Sequence, residues 1–253
     1  MVGSLLLAGC SSRGGVPDPV TKQGKDVLQL WRIVLGAGVV LGVFVIGLIL
    51  WSVVRYRRPR DAAPGDLPKQ TGANIPVEVF YTVVPLLIVA VLFGLTLRTQ
   101  HRETRRSATP DLTVEVTGFQ WGWRFHYPTQ GVTVVGDANT PPTLVLPVNA
   151  NVRLRLSTTD VIHSFFVPTF LVKQDMIPGV DDQLEVRPTH IGHFGGVCAE
   201  FCGLDHARMT FSVDVVSPSD FQAFAARQQP APGGPGPDPN GPAGVGRQAS
   251  VAR

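Results

Sequence analysis

The sequence predicts an α+β membrane protein, with a two-helix transmembrane hairpin followed by an all-β domain. Two long apolar runs within the first hundred residues predict the hairpin, and short alternating runs after residue 110 predict the strands. A cluster of sulfur and imidazole side chains near the end of the β region predicts a metal site in it. The chain has 253 residues, 44% of them hydrophobic, and a formal net charge of only +3. Its arginines gather beside the apolar runs instead of forming a dispersed basic face, so nucleic acid is not an expected partner.

The first 27 residues read as a lipoprotein-like signal and linker. Leu5-Leu-Leu-Ala-Gly-Cys10 is a short apolar stretch with small residues before its cysteine, as in a secretion signal. The ending resembles a bacterial lipoprotein processing site, although no positive segment precedes it. Residues 11–26 are polar and carry Gly and Pro, which predicts a linker.

Residues 28–109 hold the hairpin. From Leu28 to Val54 the chain is almost wholly apolar, broken only near its start by Arg32. A hydrocarbon layer of about 30 Å needs roughly 20 such residues. Gly36, Gly38, Gly42 and Gly47 permit close approach of a neighbouring helix. Trp31 and Trp51 lie where interfacial aromatic belts fall. Arg55, Arg57, Arg58 and Arg60 stop the span. A second span runs from Ile75 to Leu97 with Pro85 inside it, which a membrane helix tolerates. The arginines after the first span favour a cytoplasmic loop over residues 55–74. Arg98, Arg102, Arg105 and Arg106 pull the other way. The first span and the leader decide the orientation, which puts residues 98–253 outside the cytoplasm.

In residues 110–217 the runs Leu112–Gly118, Val132–Val135, Thr143–Leu146, Val152–Leu156 and Phe211–Val216 are split by Gly, Pro and Asn, as in a sandwich or barrel. Residues 218–253 read as a short helix, Ser219–Arg227 with Ser219 as N-cap, and a disordered Pro/Gly-rich tail. No Cys-x-x-Cys-His occurs, so no fused c-type haem domain is expected.

Cys198, Cys202, His206 and Met209 fall within twelve residues, and His163 lies upstream in Asp160-Val-Ile-His-Ser-Phe-Phe-Val-Pro168. Soft sulfur and imidazole donors favour copper or zinc over magnesium or calcium. The thioether argues for copper, because zinc rarely takes one. A mononuclear site of this kind needs one cysteine. Two thiolates four residues apart can bridge two ions, with one histidine capping each. The alternative is a Cys198–Cys202 disulfide. Size and donor placement suit a cupredoxin-like Greek-key barrel.

These residues resemble the dinuclear copper A site of subunit II of haem-copper cytochrome c oxidases, and the resemblance spans residues 25–217. It implies that Cys198 and Cys202 bridge two coppers, that His163 and His206 each bind one, that Met209 is a weak ligand and that Glu200 contributes its backbone carbonyl. The Glu200 carboxylate then helps hold a magnesium ion shared with subunit I. Trp121, in Gln120-Trp-Gly-Trp-Arg-Phe-His-Tyr127, matches the residue through which electrons enter and faces the donor. Gly122 departs from the commoner aromatic there, and Trp123 and Tyr127 read as packing or interface residues. Asp160 matches an acid of the docking face, but Thr159 stands where a second acid is usual. The thinner acidic face favours a membrane-held c-type cytochrome over a freely diffusing one. Glu78 matches a carboxylate at the cytoplasmic mouth of a proton-uptake path. Lys173–Gly179 matches a loop that packs on subunit I. His101, His126, His190 and His193 show no ligand pattern.

The implied function is that of subunit II of a proton-pumping cytochrome c oxidase in the bacterial plasma membrane. It would take electrons from cytochrome c and relay them to haem in subunit I, where oxygen becomes water. The partners would be subunit I, other oxidase subunits and the donor. The alternatives are a component of another copper A enzyme or a copper carrier; a quinol oxidase subunit would lack the ligands.

Overall fold

The computed structural model describes residues 15–58, 65 and 70–228. Cys10, part of the loop after the first span and the Pro/Gly-rich tail lie outside the described residues. The chain divides into two units, one holding residues 29–101 and the other residues 16–28 with the chain from 102 onward.

The first unit is built from two helices, α1 (Lys22–Arg55) and α2 (Ile75–Glu103). Both are long and apolar enough to cross a membrane. Helix α1 begins six residues ahead of the apolar run at Leu28. Its side chains from Val39 to Val54 are mostly open on every face, which an amphipathic helix on a water-facing domain would avoid. Asn74 caps α2: its side-chain oxygen accepts from Val77 N–H at 3.5 Å, and Glu78 Oε1 accepts from Asn74 N–H at 2.9 Å. Thr82 and Thr96 each return their hydroxyl to the carbonyl one turn back, at 2.8 and 2.9 Å, so neither leaves an unpaired polar group on the apolar helix.

The second unit is a sandwich of two five-stranded sheets. The first contains β1 (Leu112–Phe119), β2 (Gly122–Tyr127), β3 (Val132–Asp137), β5 (Val152–Thr158) and β8 (Asp182–Val186), in the order β3-β2-β1-β5-β8. The second contains β4 (Thr143–Pro147), β6 (His163–Val167), β7 (Val172–Met176), β9 (Gly192–Cys198) and β10 (Thr210–Val216), in the order β4-β10-β9-β6-β7. Each sheet carries one parallel pair, β1 with β5 and β4 with β10, among antiparallel neighbours. This is the predicted cupredoxin-like arrangement, built as two facing sheets.

Alternation drives the burial. Leu112, Val114 and Val116 of β1, Val152, Leu154 and Leu156 of β5, and Phe211, Val213 and Val215 of β10 all face inward. Between the sheets lies an aromatic core. Phe165 stacks on Phe211 at 4.9 Å between centroids, and Trp123 meets Phe211 edge-on at 5.0 Å. Gly196 has no side chain because the Phe211 ring occupies that space. The buried Tyr127 hydroxyl donates to Val145 O at 3.1 Å and accepts from Val145 N–H at 2.8 Å. It thereby pins β4, an edge strand of one sheet, to β2 of the other.

Two expectations need correction. Residues 16–28, expected to belong mostly to a linker, are packed into the β unit. Thr21 is fully buried, pairs with Pro188, and accepts from Gly24 N–H at 2.9 Å, so it is the N-cap of α1. The last helix, α3, spans Pro218–Gln228 and not Ser219–Arg227. Its N-cap is Ser217, whose oxygen accepts from Asp220 N–H at 3.1 Å, with Pro218 at the first helical position.

Candidate metal centre

The sandwich brings the distant histidine to the cysteine run by strand pairing. His163 opens β6, Cys198 closes β9, and these strands pair with Phe165 opposite Cys198. The chain beyond Cys198 loops out, makes one 3-10 turn over His206–Arg208 and returns as β10. Cys198 N–H donates to Met209 O at 2.9 Å and Ala199 N–H to Ser164 O at 3.1 Å, so both ends of the loop are tied to strands.

All six expected donors converge. Cys198 Sγ lies 3.9 Å from Cys202 Sγ, 3.8 Å from His163 Nδ1 and 3.3 Å from the Glu200 carbonyl oxygen. Cys202 Sγ lies 3.5 Å from His206 Nδ1 and 3.7 Å from Met209 Sδ. His163, Cys198, Cys202 and Met209 are 0%, 6%, 3% and 1% exposed. A disulfide would put the sulfurs about 2.05 Å apart, and both cysteines are free.

The electrostatics favour a cation. Burial opposes the Cys198 thiolate, but hydrogen bonds from His163 and neighbouring main chain outweigh it and bring the thiol down to about 6. Burial and then the Cys198 charge push Cys202 up to about 12. One thiolate forms readily and the second does not, so a positive charge between them is needed to ionise both. Two sulfurs, two imidazole nitrogens, a thioether and a carbonyl form a soft set that fits copper chemistry.

Asp160, an exposed residue, also supports the donor cluster. Its Oδ1 accepts His163 Nε2–H at 2.9 Å and Val161 N–H at 2.7 Å, while Oδ2 accepts Gln120 N–H at 2.7 Å. Binding Nε2–H this way leaves Nδ1 of His163 free to face the sulfurs. Burial opposes the Asp160 carboxylate, yet these donors hold its pKa below the usual range. Gly118 of β1 gives the imidazole room, since a methyl there would fall 3.3 Å from the ring.

Trp121 is partly exposed, and its Nε1–H donates to the Cys202 carbonyl at 3.2 Å. The Gln120 side-chain amide donates to the same oxygen at 2.7 Å. Sequence reasoning passed over Gln120; its place just before Trp121 was the only signal. Trp123 is fully buried beside His163 and Phe165, as its packing role requires. The Glu200 carboxylate meets Lys173 Nζ at 2.5 Å, which also contacts Asp175 at 2.9 Å. His126, His190 and His193 bond Thr133, Thr189 and Asp214, away from the cluster. Glu78 is the helix-capping carboxylate of α2.

A family model described as cytochrome C oxidase subunit II, periplasmic domain, matches residues 134–216. The probable cytochrome c oxidase subunit 2 of Streptomyces avermitilis is 42% identical over 248 residues, covering 83% of this chain and 77% of that one. Cytochrome c oxidase subunit 2 of Mycobacterium bovis is 31% identical over 288 residues, covering 88% and 79%. The crystal structure of the periplasmic domain of cytochrome oxidase subunit II (CoxB) of Bradyrhizobium japonicum is 32% identical, with a TM-score of 0.45, covering 49% of this chain and 96% of that one. Sequence identity at this level across most of both chains shows that the protein belongs to the cytochrome c oxidase subunit 2 family, a component of an oxidoreductase complex.

Proposed function

We propose that this chain is the electron-accepting subunit II of a proton-pumping cytochrome c oxidase, and that its six converging donors hold a dinuclear copper A centre. The observation that carries the reading is the buried pair of free thiols 3.9 Å apart, flanked by His163, His206, Met209 and the Glu200 carbonyl. When bound, the two coppers supply reversible one-electron transfer. Cys198 and Cys202 would hold both ions and His163 and His206 one each, with Met209 as a weak donor and the Glu200 carbonyl completing the set. Strands β6 and β9 fix His163 and Cys198, the loop between β9 and β10 carries the other four donors, and burial keeps water from His163, Cys198, Cys202 and Met209.

Trp121 presents a partly exposed indole on one side and a bond to the Cys202 carbonyl on the other. That geometry suits it to receive single electrons from cytochrome c or a membrane-held c-type cytochrome, bound for haem in subunit I where oxygen is reduced. Asp160 sits beside it on the docking side, with its oxygens turned to His163 and Gln120. One carboxylate does not make a magnesium site; Glu200 supplies this chain's share, with subunit I providing the rest and displacing Lys173. Glu78 serves at the proton-uptake mouth as well as capping α2.

The uncovered apolar surface of α1 and α2 suits burial in lipid and against other oxidase subunits. The metal domain then stands on the extracytoplasmic side of the bacterial plasma membrane. The proposed domains are a lipoprotein-like leader at the start of the chain, with lipid on Cys10, the hairpin over 28–109, the copper domain over 110–217 joined by the packed residues 16–27, and the helix and tail over 218–253.

Metal analysis and electron paramagnetic resonance of the copper-loaded protein test the centre. Two coppers sharing one unpaired electron are expected, with the signal lost in Cys198→Ser and Cys202→Ser. A protein that stays colourless, or a signal from one isolated cupric ion, would refute the reading. Trp121→Phe is expected to slow electron acceptance while leaving both coppers bound.

A further inference from the structure

Among the residues around the site, Gln120 makes two bonds that join parts of the site otherwise far apart in sequence. Its main-chain N–H donates to Asp160 Oδ2 at 2.7 Å, and Asp160 Oδ1 holds His163 Nε2 at 2.9 Å. Its side-chain Nε2 donates to the Cys202 carbonyl at 2.7 Å. One residue therefore reaches the upstream histidine through one bond and the cysteine loop through another. Trp121 adds a longer bond, 3.2 Å, to the same carbonyl.

The receiving peptide is shaped for this contact. Gly203, directly after Cys202, has φ of +117°, a conformation that L side chains rarely adopt. A methyl on Gly203 would fall 3.2 Å from Gln120 Nε2 and 3.2 Å from the Trp121 ring. The flanking residues Phe201 and Leu204 are 80% and 88% exposed, so the loop gains little from burial at those positions. Its order near Cys202 then depends on burial of the Cys202 side chain, on polar bonds to its main chain and on its two tied ends.

We infer that Gln120 is a positioning residue: it clamps the Cys202 peptide to the Asp160–His163 pair and holds the two sides of the donor cluster at fixed separation in the absence of metal. This rests on the proposed copper site for its consequence, though not for its geometry. An electron relay gains from donors that move little between oxidation states. The clamp supplies that rigidity from outside the ligand set, and it leaves the Trp121 indole with a second, weaker hold on the same oxygen.

The test compares wild type, Gln120→Leu and Gln120→Glu in the full-length detergent-purified protein. Gln120→Leu removes the donor without adding charge, and Gln120→Glu keeps the side-chain volume and the main-chain bond to Asp160 while turning the contact with the Cys202 carbonyl from attraction to repulsion. Amide hydrogen exchange is followed on the metal-free protein, and the electron paramagnetic resonance spectrum and reduction potential after loading with copper. Both variants are expected to bind the same amount of copper as wild type. Their metal-free amides from 199 to 206 should exchange about tenfold faster, as loss of one hydrogen bond predicts. The copper hyperfine pattern and potential should shift with them. Trp121→Phe should leave exchange in the loop nearly unchanged. Wild-type exchange and an unaltered spectrum in both Gln120 variants would overturn the clamp. Absence of a coupled two-copper signal in wild type would instead overturn the copper reading, and the exchange arm would still decide the clamp.

Discussion

Single residues set the chemistry of the thiol pair. With Cys198 held low, Cys202 held high and the His163 pKa raised by Cys198 and Asp160 against the effect of burial, metal-binding must displace protons. Copper affinity is therefore expected to rise with pH, because Cys202 must give up its proton to the metal, and to fall further as acid protonates Cys198 at about 6. Chelator competition across about pH 5 to 8 measures this; a flat profile would contradict a thiolate site. Asp160 acts one bond further out. Asp160→Ala frees the His163 ring to rotate and leaves Gln120 N–H without its acceptor. Losing such a support costs about 10- to 100-fold in metal affinity, which titration of the metal-free protein against a competing chelator would show.

At the scale of elements, the sandwich depends on ties between sheets as well as on apolar burial. Tyr127 satisfies both main-chain groups of Val145, and burial raises its hydroxyl pKa well above the ordinary tyrosine value. Tyr127→Phe leaves a buried N–H and C=O unpaired, at an expected cost of about 1–3 kcal/mol in denaturant unfolding of the β unit. A second tie holds the chain after α2. Glu185 accepts Ser107 N–H at 2.8 Å and Arg153 Nε at 3.0 Å, and the Arg153 and Glu185 side chains are only 19% and 10% exposed. Glu185→Ala strands the Arg153 charge, and the loss is expected to reach about 3 kcal/mol. Equal stability of the variant and wild type would show that the segment is held by other contacts.

For the whole molecule, two long apolar helices precede a β domain into which only the first turns of α1, to Leu28, are packed. The protein is expected to remain in the membrane pellet after alkaline carbonate washing, and release into the supernatant would contradict a spanning hairpin. Copper that binds only the folded β unit raises its melting temperature by mass action, by an amount that grows with free metal. Differential scanning calorimetry with and without copper should show that shift, and Cys202→Ser should abolish it.

The sequence alone determined the order of the molecule: two apolar spans, then strands, then a short run, Cys198–Met209, carrying five of the six donors. These are local signals, legible because hydrophobic period and donor spacing are properties of neighbouring residues. It also placed His163 among the donors, by resemblance and not by spacing. Only the tertiary structure decided how that histidine meets Cys198, because the contact depends on β6 pairing with β9 at a sequence separation of 35. It likewise turned Asp160 toward His163, made Ser217 the cap of α3, drew residues 16–28 into the β unit and gave Gln120 its two partners. A polar side chain can bond anything within about 3 Å. What lies that close is set by the packing of the sheets, and one-dimensional pattern does not encode it.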